Sequence, residues 1–505
     1  MVASEKETEN ENDNENEHED DWGDDKMINT AHGLIVGGMQ SGAGKTAVTC
    51  MMLAALYERG LPIQPFKAGP DFIDPGYHGR FADGPSRNLD FWLMNDADIV
   101  QEAITHGAGR ISIVEGVMGL FDGSEVTSDQ GSTMAMARLL RWPVILVIPS
   151  AKAGRSLAAA LRGFMAEADS GLIAGVILNG VSGRSHADYL REAIAPLKLP
   201  VLGAIPICPE LSWPERHLGL QANQERDLPH RRELARLGET YLDLSGILAL
   251  VEPAEKAEFR IQESGFRIGL EPSGLGTSPR HDEEGSGGPQ AHNPPDKGIR
   301  IGLARDQAFH FYYEANLDYL RRQGFQLVEF SPMHESKLPS GLEGLIIGGG
   351  FPELFTDELA QNEALRSGVR SVIRDGLPCY AECGGMMWLS EEIVSQSGRR
   401  FPMVGAIPGA VEMTPGLQHF GYCECSELER APSEMIRGHE FHHSRWTAES
   451  QLANLWMVRR KRIGATRREG FQKQHLHASY VHLYFSGTQT VFPSLMKKDN
   501  RMAAL

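Results

Sequence analysis

A cysteine at position 383 lies in the segment YAECGGMMWL, between an apolar run that ends at Ala381 and a helix-like stretch. This is the arrangement of a nucleophile elbow, in which the reactive side chain sits on a sharp turn at the start of a helix. A helix N-terminus favours the thiolate form of a cysteine, and the two following glycines permit the tight turn. The pattern predicts that Cys383 is a catalytic nucleophile.

A thiolate nucleophile needs a base or an ion-pair partner, and several histidines follow Cys383. His482 lies in SYVHLYF, at a predicted strand end, whereas His439, His442 and His443 lie together in GHEFHHS. A lone histidine is more often structural than catalytic, so the residues alone leave the choice open.

Backbone N–H groups next to the nucleophile can stabilise an oxyanion. The candidates for such an oxyanion hole are Gly349, Gly350 and Gly384. Cys379 is expected in the core. Cys423 and Cys425 have no second pair at zinc-site spacing, so a metal site is not expected there.

The string GMQSGAGKT (38–46) follows a predicted strand and precedes a predicted helix, which is the setting of a phosphate-binding loop. Backbone N–H groups of such a loop hold phosphate oxygens, while Lys45 would reach the β- and γ-phosphates and Thr46 would bind Mg²⁺. The common pattern has glycine where this chain has Met39, and Gly38 lies one position earlier. The residues predicted to bind ATP here are Gly38, Ser41, Gly42, Ala43, Gly44, Lys45 and Thr46.

Carboxylates follow the predicted strands near this loop. Glu115 ends the strand of RISIVEGV, Asp122 lies in GLFDG, and Asp71 and Asp74 lie in FKAGPDFIDP beside Lys67. An aspartate in such a loop is often only a turn former. Four carboxylates at one predicted sheet edge nevertheless indicate a metal or substrate site.

Short apolar strands alternate with helices in the first half of the chain. This order predicts an α/β fold with a doubly wound parallel sheet. The predicted strands span 33–38, 110–117, 143–149 and 174–181, and the predicted helices span 45–59, 131–141 and 153–168. Strands of a second α/β module are predicted within 300–309, 342–350, 377–385 and 478–485.

Composition gives the domain limits and excludes several classes of protein. The predicted parts are a disordered acidic tail (1–30), a first module (31–253), a flexible linker (254–298), a second module (299–490) and a tail (491–505). The formal net charge is −18, but residues 1–25 hold twelve Asp and Glu against one Lys, which leaves about −7 elsewhere. We therefore expect no nucleic-acid partner. The lack of a long apolar stretch predicts no membrane partner, and six scattered cysteines favour the reducing cytoplasm.

The chain resembles the cobyrinate a,c-diamide synthases, a family of glutamine amidotransferases of cobalamin biosynthesis. The resemblance extends over about residues 33–490, and the phosphate loop has the form found in dethiobiotin synthetase. The strings that carry it are QPFKAGPDFIDPGYH (64–78), VEGVMGLFDG (114–123), LSWPERHLGL (211–220), ARDQAFHFYY (304–313), GGGFPEL (348–354), AECGGMMWL (381–389) and GHEFHHS (438–444).

This resemblance implies an ATP-dependent amidoligase followed by a class I glutaminase of the cobalamin type. That glutaminase type uses cysteine and histidine without the usual third acidic residue, and chain order then selects His482 as the partner of Cys383. The predicted Mg²⁺ ligands are Thr46, Asp71 and Glu115, the predicted substrate residues are Lys67, Asp71, Asp74 and Asp122, and Asn179 is predicted to contact adenine.

The implied reaction amidates the a and c acetates of cobyrinate through acyl phosphates, with ATP and glutamine as co-substrates and Mg²⁺ as cofactor. Hydrogenobyrinate and nickel-sirohydrochlorin are alternative substrates. Cobyric acid synthase is less favoured, because its stretch after the second strand typically reads like QNMALNS instead of AGPDFID. A non-catalytic partner-binding ATPase is the alternative of another class. The expected assembly is a monomer or a homodimer.

Overall fold

The computed structural model describes residues 32–82, 84–208, 211, 230–251, 298–428, 435–461 and 464–486. The predicted acidic tail, the C-terminal tail and all of the predicted linker except Gly298 lie outside the described residues. So does nearly all of the string LSWPERHLGL.

The first domain is built on one sheet of seven parallel strands. These strands are β1 (Gly33–Gly38), β2 (Ile63–Ala68), β3 (Arg87–Leu89), β4 (Ile111–Glu115), β5 (Val144–Pro149), β6 (Ile173–Val181) and β7 (Val201–Pro206). Their order across the sheet is β3-β2-β4-β1-β5-β6-β7. Parallel strands end at the same edge, so the loops after β1, β2 and β4 lie side by side.

Helices cover both faces of this sheet. They are α1 (Lys45–Glu58), α2 (Ile73–Phe81), α3 (Asp96–Gly107), α4 (Thr133–Leu140), α5 (Ser156–Glu167), α6 (Arg184–Ile194), α7 (Arg231–Tyr241) and α8 (Leu244–Ala249). Successive residues of β1 enter different cores: Leu34 and Val36 pack in one, and Ile35 packs in the other. Burial on both faces explains the continuous apolar strands, and it confirms the predicted doubly wound fold.

The second domain has a six-stranded main sheet in the order β20-β21-β11-β10-β8-β9. Its strands are β8 (Ile299–Ala304), β9 (Phe325–Phe330), β10 (Gly344–Ile347), β11 (Cys379–Glu382), β20 (Phe471–Lys473) and β21 (Leu476–Ser479). Only the β20–β21 pair is antiparallel. Its helices are α9 (Glu314–Arg322), α10 (Thr356–Gln361), α11 (Glu363–Arg374) and α12 (Gly384–Leu389).

Two smaller sheets flank the main one, and the sequence patterns did not predict them. One contains β12 (Glu392–Val394), β13 (Arg400–Pro402), β14 (Ala410–Met413) and β17 (Ser444–Thr447). The other contains β15 (His419–Glu427), β16 (Ile436–His442), β18 (Trp456–Arg460), β19 (Thr466–Glu469) and β22 (His482–Leu483). The second of these sheets carries His439 and His482 as directly paired residues.

The prediction of one strand within 478–485 was wrong. Strand β21 ends at Ser479, and β22 starts at His482 in a different sheet. The Ser479 hydroxyl accepts a hydrogen bond from the Val481 N–H (3.0 Å), and Glu469 accepts one from the Tyr480 N–H (2.8 Å). These side chains satisfy the backbone where the chain leaves the main sheet, so the apolar run can change sheets without losing hydrogen bonds.

The two domains share a polar and aromatic contact surface. Trp92 of the first domain donates its indole N–H to the Gly438 carbonyl of β16 (3.1 Å), and Tyr422 of β15 donates to Asp90 (2.6 Å). Arg87 forms an ion pair with Asp318 of α9. The segment between β2 and α3 therefore rests directly on the second domain.

Candidate functional site

The phosphate loop connects β1 to α1 and is held in the shape that anion binding requires. Gly42 (φ 74°) and Gly44 (φ 92°) have left-handed backbone conformations that a side chain would strain. Asn179, at the end of β6, donates its amide to the Ala43 carbonyl at 3.0 Å. A Cβ on Gly44 would lie 2.2 Å from that amide nitrogen, so Asn179 packs directly against the loop. Lys45 donates to the Met118 carbonyl at 2.5 Å.

A buried charge cluster lies beside this loop. The Thr46 hydroxyl donates to Glu115 at 2.7 Å and lies 3.4 Å from Asp74. Lys67 contacts the same two carboxylates, at 3.0 Å from Glu115 and 2.8 Å from Asp74. His78 binds the other Glu115 oxygen at 2.6 Å. The fold thus joins residues from α1, β2, α2 and β4 at one sheet edge.

Mutual neutralisation keeps these buried groups charged. Burial lowers the pKa of Lys67, but the charges of Asp74, Glu115 and Asp71 outweigh it and raise the pKa above the ordinary lysine value. Burial and Asp74 raise the pKa of Glu115, yet Lys67 and His78 bring it below the usual glutamate range. A buried carboxylate is stable in its charged form only with such partners.

Asp71 and Asp122 take different positions from Asp74 and Glu115. One Asp71 oxygen accepts the Ile73 N–H at 2.9 Å, which caps the entry into α2. Asp122 is exposed, and its carboxylate accepts the Gly119 N–H at 2.9 Å across a turn. The structure therefore brings Thr46, Asp74 and Glu115 together, while Asp122 has the contact of a turn-forming residue.

Cys383 lies at the junction of β11 and α12 in a strained conformation. Its φ of 45° and ψ of −105° are unusual for a residue with a side chain, and they match the sharp turn of a nucleophile elbow. Hydrogen bonds fix the turn from both sides: the Cys383 N–H donates to the Ser479 carbonyl (2.7 Å), and its carbonyl accepts the Met387 N–H (3.0 Å). Strain of this kind is typical of functional sites.

His482 is the imidazole that contacts Cys383. Burial lowers the pKa of His482, but hydrogen bonds to Cys383 and Glu382 together with their charges raise it to about 10. His482 Nδ1 lies 3.3 Å from Glu382 Oε2, and both side chains are buried. The other Glu382 oxygen accepts hydrogen bonds from the Tyr380 hydroxyl (2.6 Å) and the Leu483 N–H (3.1 Å). The geometry is that of a cysteine–imidazolium pair oriented by a carboxylate, so the expectation of a pair without a third acidic residue was wrong.

The other histidines of GHEFHHS lack these features. Burial and the nearby His482 hold the pKa of His439 well below its usual value. Burial lowers the pKa of His442 to about 3, and its ring stacks on Tyr480 at a centroid distance of 3.9 Å. His443 lines the pocket of Cys383, and burial lowers its pKa as well.

The three predicted oxyanion-hole glycines lie around the elbow. A Cβ on Gly384 would come within 3.0 Å of the Gly350 nitrogen, and a Cβ on Gly349 would come within 2.6 Å of the His482 ring. These positions therefore require glycine, because a side chain would prevent the backbone from approaching the nucleophile and its partner this closely.

Phe72 connects the two sites. It lies between Asp71 and Asp74 in sequence, yet its ring packs against the second domain, at centroid distances of 5.0 Å from His482 and 4.4 Å from Tyr313. The Tyr313 hydroxyl donates to the Pro70 carbonyl (3.1 Å) and lies 2.5 Å from His439 Nε2. One short segment therefore contacts the charge cluster with one end and the Cys383–His482 pair with the other.

Both domains match family models. Residues 34–220 match the CobQ/CobB/MinD/ParA nucleotide binding domain, and residues 300–490 match the CobB/CobQ-like glutamine amidotransferase domain. The chain is 37% identical over 484 residues to the cobyrinate a,c-diamide synthase of a Synechococcus species, covering 94% of this chain and 99% of that one. The chain belongs to the cobyrinate a,c-diamide synthase family.

Two further relatives in this family carry the same name. The protein of Syntrophotalea carbinolica is 38% identical, over 90% of this chain and 95% of its own. The protein of Listeria monocytogenes is 37% identical, over 90% of this chain and 96% of its own. The similarity covers both domains in each case, which confirms the family resemblance inferred from the motifs.

The sequence patterns did not predict several residues that the structure places in the site. His78 stands four residues after Asp74 in α2, on the same helix face, and that spacing could have revealed it. Glu382 directly precedes the nucleophile as an acidic residue in an apolar strand, which is a weaker signal. Phe72 carries no local signal, since its role depends on a contact with the other domain. Among the described residues, no helix is long and apolar enough to cross a membrane.

Proposed function

We propose that this protein catalyses the ATP- and glutamine-dependent amidation of the a and c acetates of cobyrinate, giving cobyrinate a,c-diamide in cobalamin biosynthesis. The observation that carries the proposal is the meeting of two different sites at one junction. Asp74 belongs to the buried charge cluster beside the phosphate loop, and two residues earlier in the same segment the Phe72 ring packs on His482, the partner of Cys383. Such a pair of sites suits an enzyme that makes ammonia at one site and uses it at the other.

The first domain would activate the carboxylate, because its direct condensation with ammonia is unfavourable. Transfer of the γ-phosphoryl group of ATP to the acetate gives an acyl phosphate and ADP, and ammonia then displaces phosphate to form the amide. We propose that loop N–H groups and Lys45 stabilise the charge on the transferred group. Lys67 would hold Asp74 and Glu115 in place. Asp71 remains a proposed ligand of Mg²⁺ and contact of substrate, Lys67 and Asp122 remain proposed contacts of substrate, and Asn179 remains a proposed contact of adenine.

The donors near the phosphate loop suit Mg²⁺. Thr46, Asp74 and Glu115 supply the hard oxygen atoms that this ion prefers. Among the described residues, no group of three or more His, Cys, Asp or Glu side chains could hold a metal ion by itself. Thr46, Asp74 and Glu115 would instead hold the ion together with the bound nucleotide. The bound ion would offset phosphate charge.

The second domain would release ammonia from glutamine. The Cys383 thiolate attacks the carboxamide carbon, while N–H groups around Gly350 and Gly384 stabilise the oxyanion. The His482 imidazolium gives its proton to the departing nitrogen, which leaves as ammonia and produces a glutamyl thioester. Water then hydrolyses the thioester to glutamate and restores the thiol. Glu382 would keep His482 in the correct orientation.

The domain limits and the cellular setting follow from the same proposal. The ligase would comprise residues 31–253 and the glutaminase residues 299–490, joined by the linker 254–298. None of the six cysteines forms a disulfide, which favours a reducing compartment such as the cytoplasm. Oligomeric state is expected to be monomeric or homodimeric.

A substrate assay tests the proposed function. Purified protein would be incubated with ATP, Mg²⁺, glutamine and cobyrinate, hydrogenobyrinate or nickel-sirohydrochlorin, and amides would be counted by mass spectrometry. We expect two amides on cobyrinate, with a lower kcat/KM on the other two rings. Preference for either alternative ring would identify a different substrate. Four amides on an a,c-diamide would indicate a cobyric acid synthase, and ATP hydrolysis without amidation would support the partner-binding ATPase.

Replacing Glu382 by Gln is expected to lower glutaminase kcat/KM by about tenfold to a hundredfold, because His482 loses the charge that orients it. Loss of this carboxylate also lowers the pKa of His482 from its value of about 10. The alkaline fall in kcat/KM, where the imidazolium loses its proton, should therefore move to lower pH. The measurement is glutamate release against pH.

The matched control for this change is Glu391→Gln, since Glu391 is an exposed glutamate of the same domain. Its pH profile should match that of the unmodified protein. If Glu382→Gln lowered kcat/KM but left the pH of its alkaline fall unchanged, Glu382 would support the fold without controlling the protonation of His482.

Replacing Phe72 by Ala is expected to uncouple the two reactions, because its ring packs on His482 while its segment carries Asp74 of the charge cluster. Ammonia would then escape to solvent, and glutamate released per amide formed should rise about twofold or more. The ratio is measured by assaying both products in one reaction. The exposed Phe420 supplies the control Phe420→Ala, which should keep the ratio near one. An unchanged ratio in the Phe72 variant would exclude this role.

A further inference from the structure

The pocket of Cys383 contains a partly buried glutamate, Glu353, that the mechanism does not use. Glu353 lies in a short 3-10 turn (Pro352–Leu354) directly after the predicted oxyanion-hole segment. The pocket is lined by Glu353, Cys383, Met387, Phe441, His442 and His443, among others. Glu353 and the nucleophile therefore line the same pocket.

One oxygen of this carboxylate is unsatisfied. Glu353 Oε2 is shielded from solvent and has no hydrogen-bond partner among the described residues. A polar atom buried in this way costs free energy, so natural proteins seldom keep one without a function or a missing ligand. Burial raises the pKa of Glu353 to about 7, against a smaller opposing effect of its own backbone N–H. A cation placed beside the carboxylate would remove this penalty.

The chemistry of glutamine supplies such a cation. When its carboxamide carbon lies at Cys383, three further carbons lead to an α-ammonium and an α-carboxylate group. The apolar walls formed by Met387, Phe311 and Phe441 suit the methylene groups between them. The α-ammonium then needs an anionic acceptor inside the same pocket.

We propose that Glu353 binds the α-ammonium group of the glutamine that Cys383 attacks, and so selects this donor against amides that lack an α-amino group. The inference rests on the proposed glutaminase activity. Glu353 would be a binding and specificity residue, with no part in bond breaking. The charge-assisted hydrogen bond from ammonium to carboxylate would supply the partner that Glu353 Oε2 does not have among the described residues.

The test compares two donors in two proteins. The donors are L-glutamine and glutaramate, which is glutamine without its α-amino group, and the proteins are the unmodified enzyme and Glu353→Gln. The unmodified enzyme should prefer glutamine in kcat/KM by about tenfold to a hundredfold, the effect of one charged hydrogen bond. In Glu353→Gln the preference should fall to about threefold or less, mainly through a higher KM for glutamine.

The control is Glu358→Gln, which changes an exposed glutamate of the neighbouring helix α10 and should keep the full preference. Ammonia-dependent amidation is measured in parallel to report on the ligase domain. If Glu353→Gln does not fold, Glu353→Asp keeps the charge at a shorter reach and should show an intermediate preference.

Each outcome decides a different question. A preference for glutamine that survives in Glu353→Gln, or that is absent from the unmodified enzyme, would overturn the role of Glu353. An unmodified enzyme that hydrolyses neither donor, with or without ATP and cobyrinate, would instead contradict the proposed function. The two failures are thus distinguishable.

Discussion

The Cys383→Ser variant is expected to lose glutamine-dependent amidation by about a thousandfold or more, since a serine hydroxyl at this elbow is a far weaker nucleophile than a thiolate. Amidation with added ammonia should remain largely intact. The reason is structural: the phosphate loop and the Thr46, Asp74 and Glu115 cluster belong to a separate sheet and core. Both rates would be measured by counting amides with each nitrogen donor.

The matched control for this variant is Cys208→Ser, which changes a first-domain cysteine that forms no disulfide. It should retain both activities. If ammonia failed to rescue Cys383→Ser while the protein remained folded, the two-site proposal would be wrong. The same variant should also stop forming a thioester with glutamine, which mass spectrometry of the trapped enzyme can detect.

Replacing Lys45 by Ala is expected to reduce amidation by about a hundredfold to a thousandfold with either nitrogen donor, because a preorganised charge on the transferred phosphoryl group is lost. Glutaminase activity at Cys383 should persist in part. The measurement is amide formation and glutamate release in the same reaction, together with ADP release.

A suitable control for the lysine variant is Lys198→Asn. Lys198 is exposed, and its left-handed φ of 55° is one that asparagine adopts readily. It should leave all three rates unchanged. Full amidation by Lys45→Ala would contradict the phosphate-loop assignment. Loss of glutaminase activity alone would indicate that Lys45 acts at the glutaminase site instead.

The fold class was predictable from sequence because the strands of both main sheets have recognisable local sequence patterns. Apolar runs such as GLIVGG and glycine-rich turns identify parallel strands buried on two faces, and β1, β5 and β6 lie close to the predicted ranges. The two smaller sheets were not predictable in this way. Most of their strands are short, and pairs such as β14–β17 and β16–β22 join strands that are distant in the chain, which local periodicity does not reveal.

The four carboxylates near the phosphate loop also show what local sequence patterns cannot predict. Asp71, Asp74, Glu115 and Asp122 all follow predicted strands, so their position at one sheet edge could be expected. The sequence could not show which of these carboxylates point toward Thr46. Asp74 sits in the first turn of α2 and faces Lys67, whereas the Asp122 side chain turns back to the Gly119 N–H. Side-chain direction depends on the local turn and on distant packing, and neither is encoded by spacing alone.

The sequence by itself predicted a phosphate loop at Lys45 and a nucleophile elbow at Cys383, and the fold places both residues at strand-to-helix turns. Both are local motifs, in which glycines permit a tight turn and a helix N-terminus favours negative charge. The tertiary structure decided that Glu382 meets His482, a hundred residues later, and that Phe72 of one domain packs on the imidazole of the other. The reason is that such contacts arise from strand order and domain docking, so they exist only once the chain has folded.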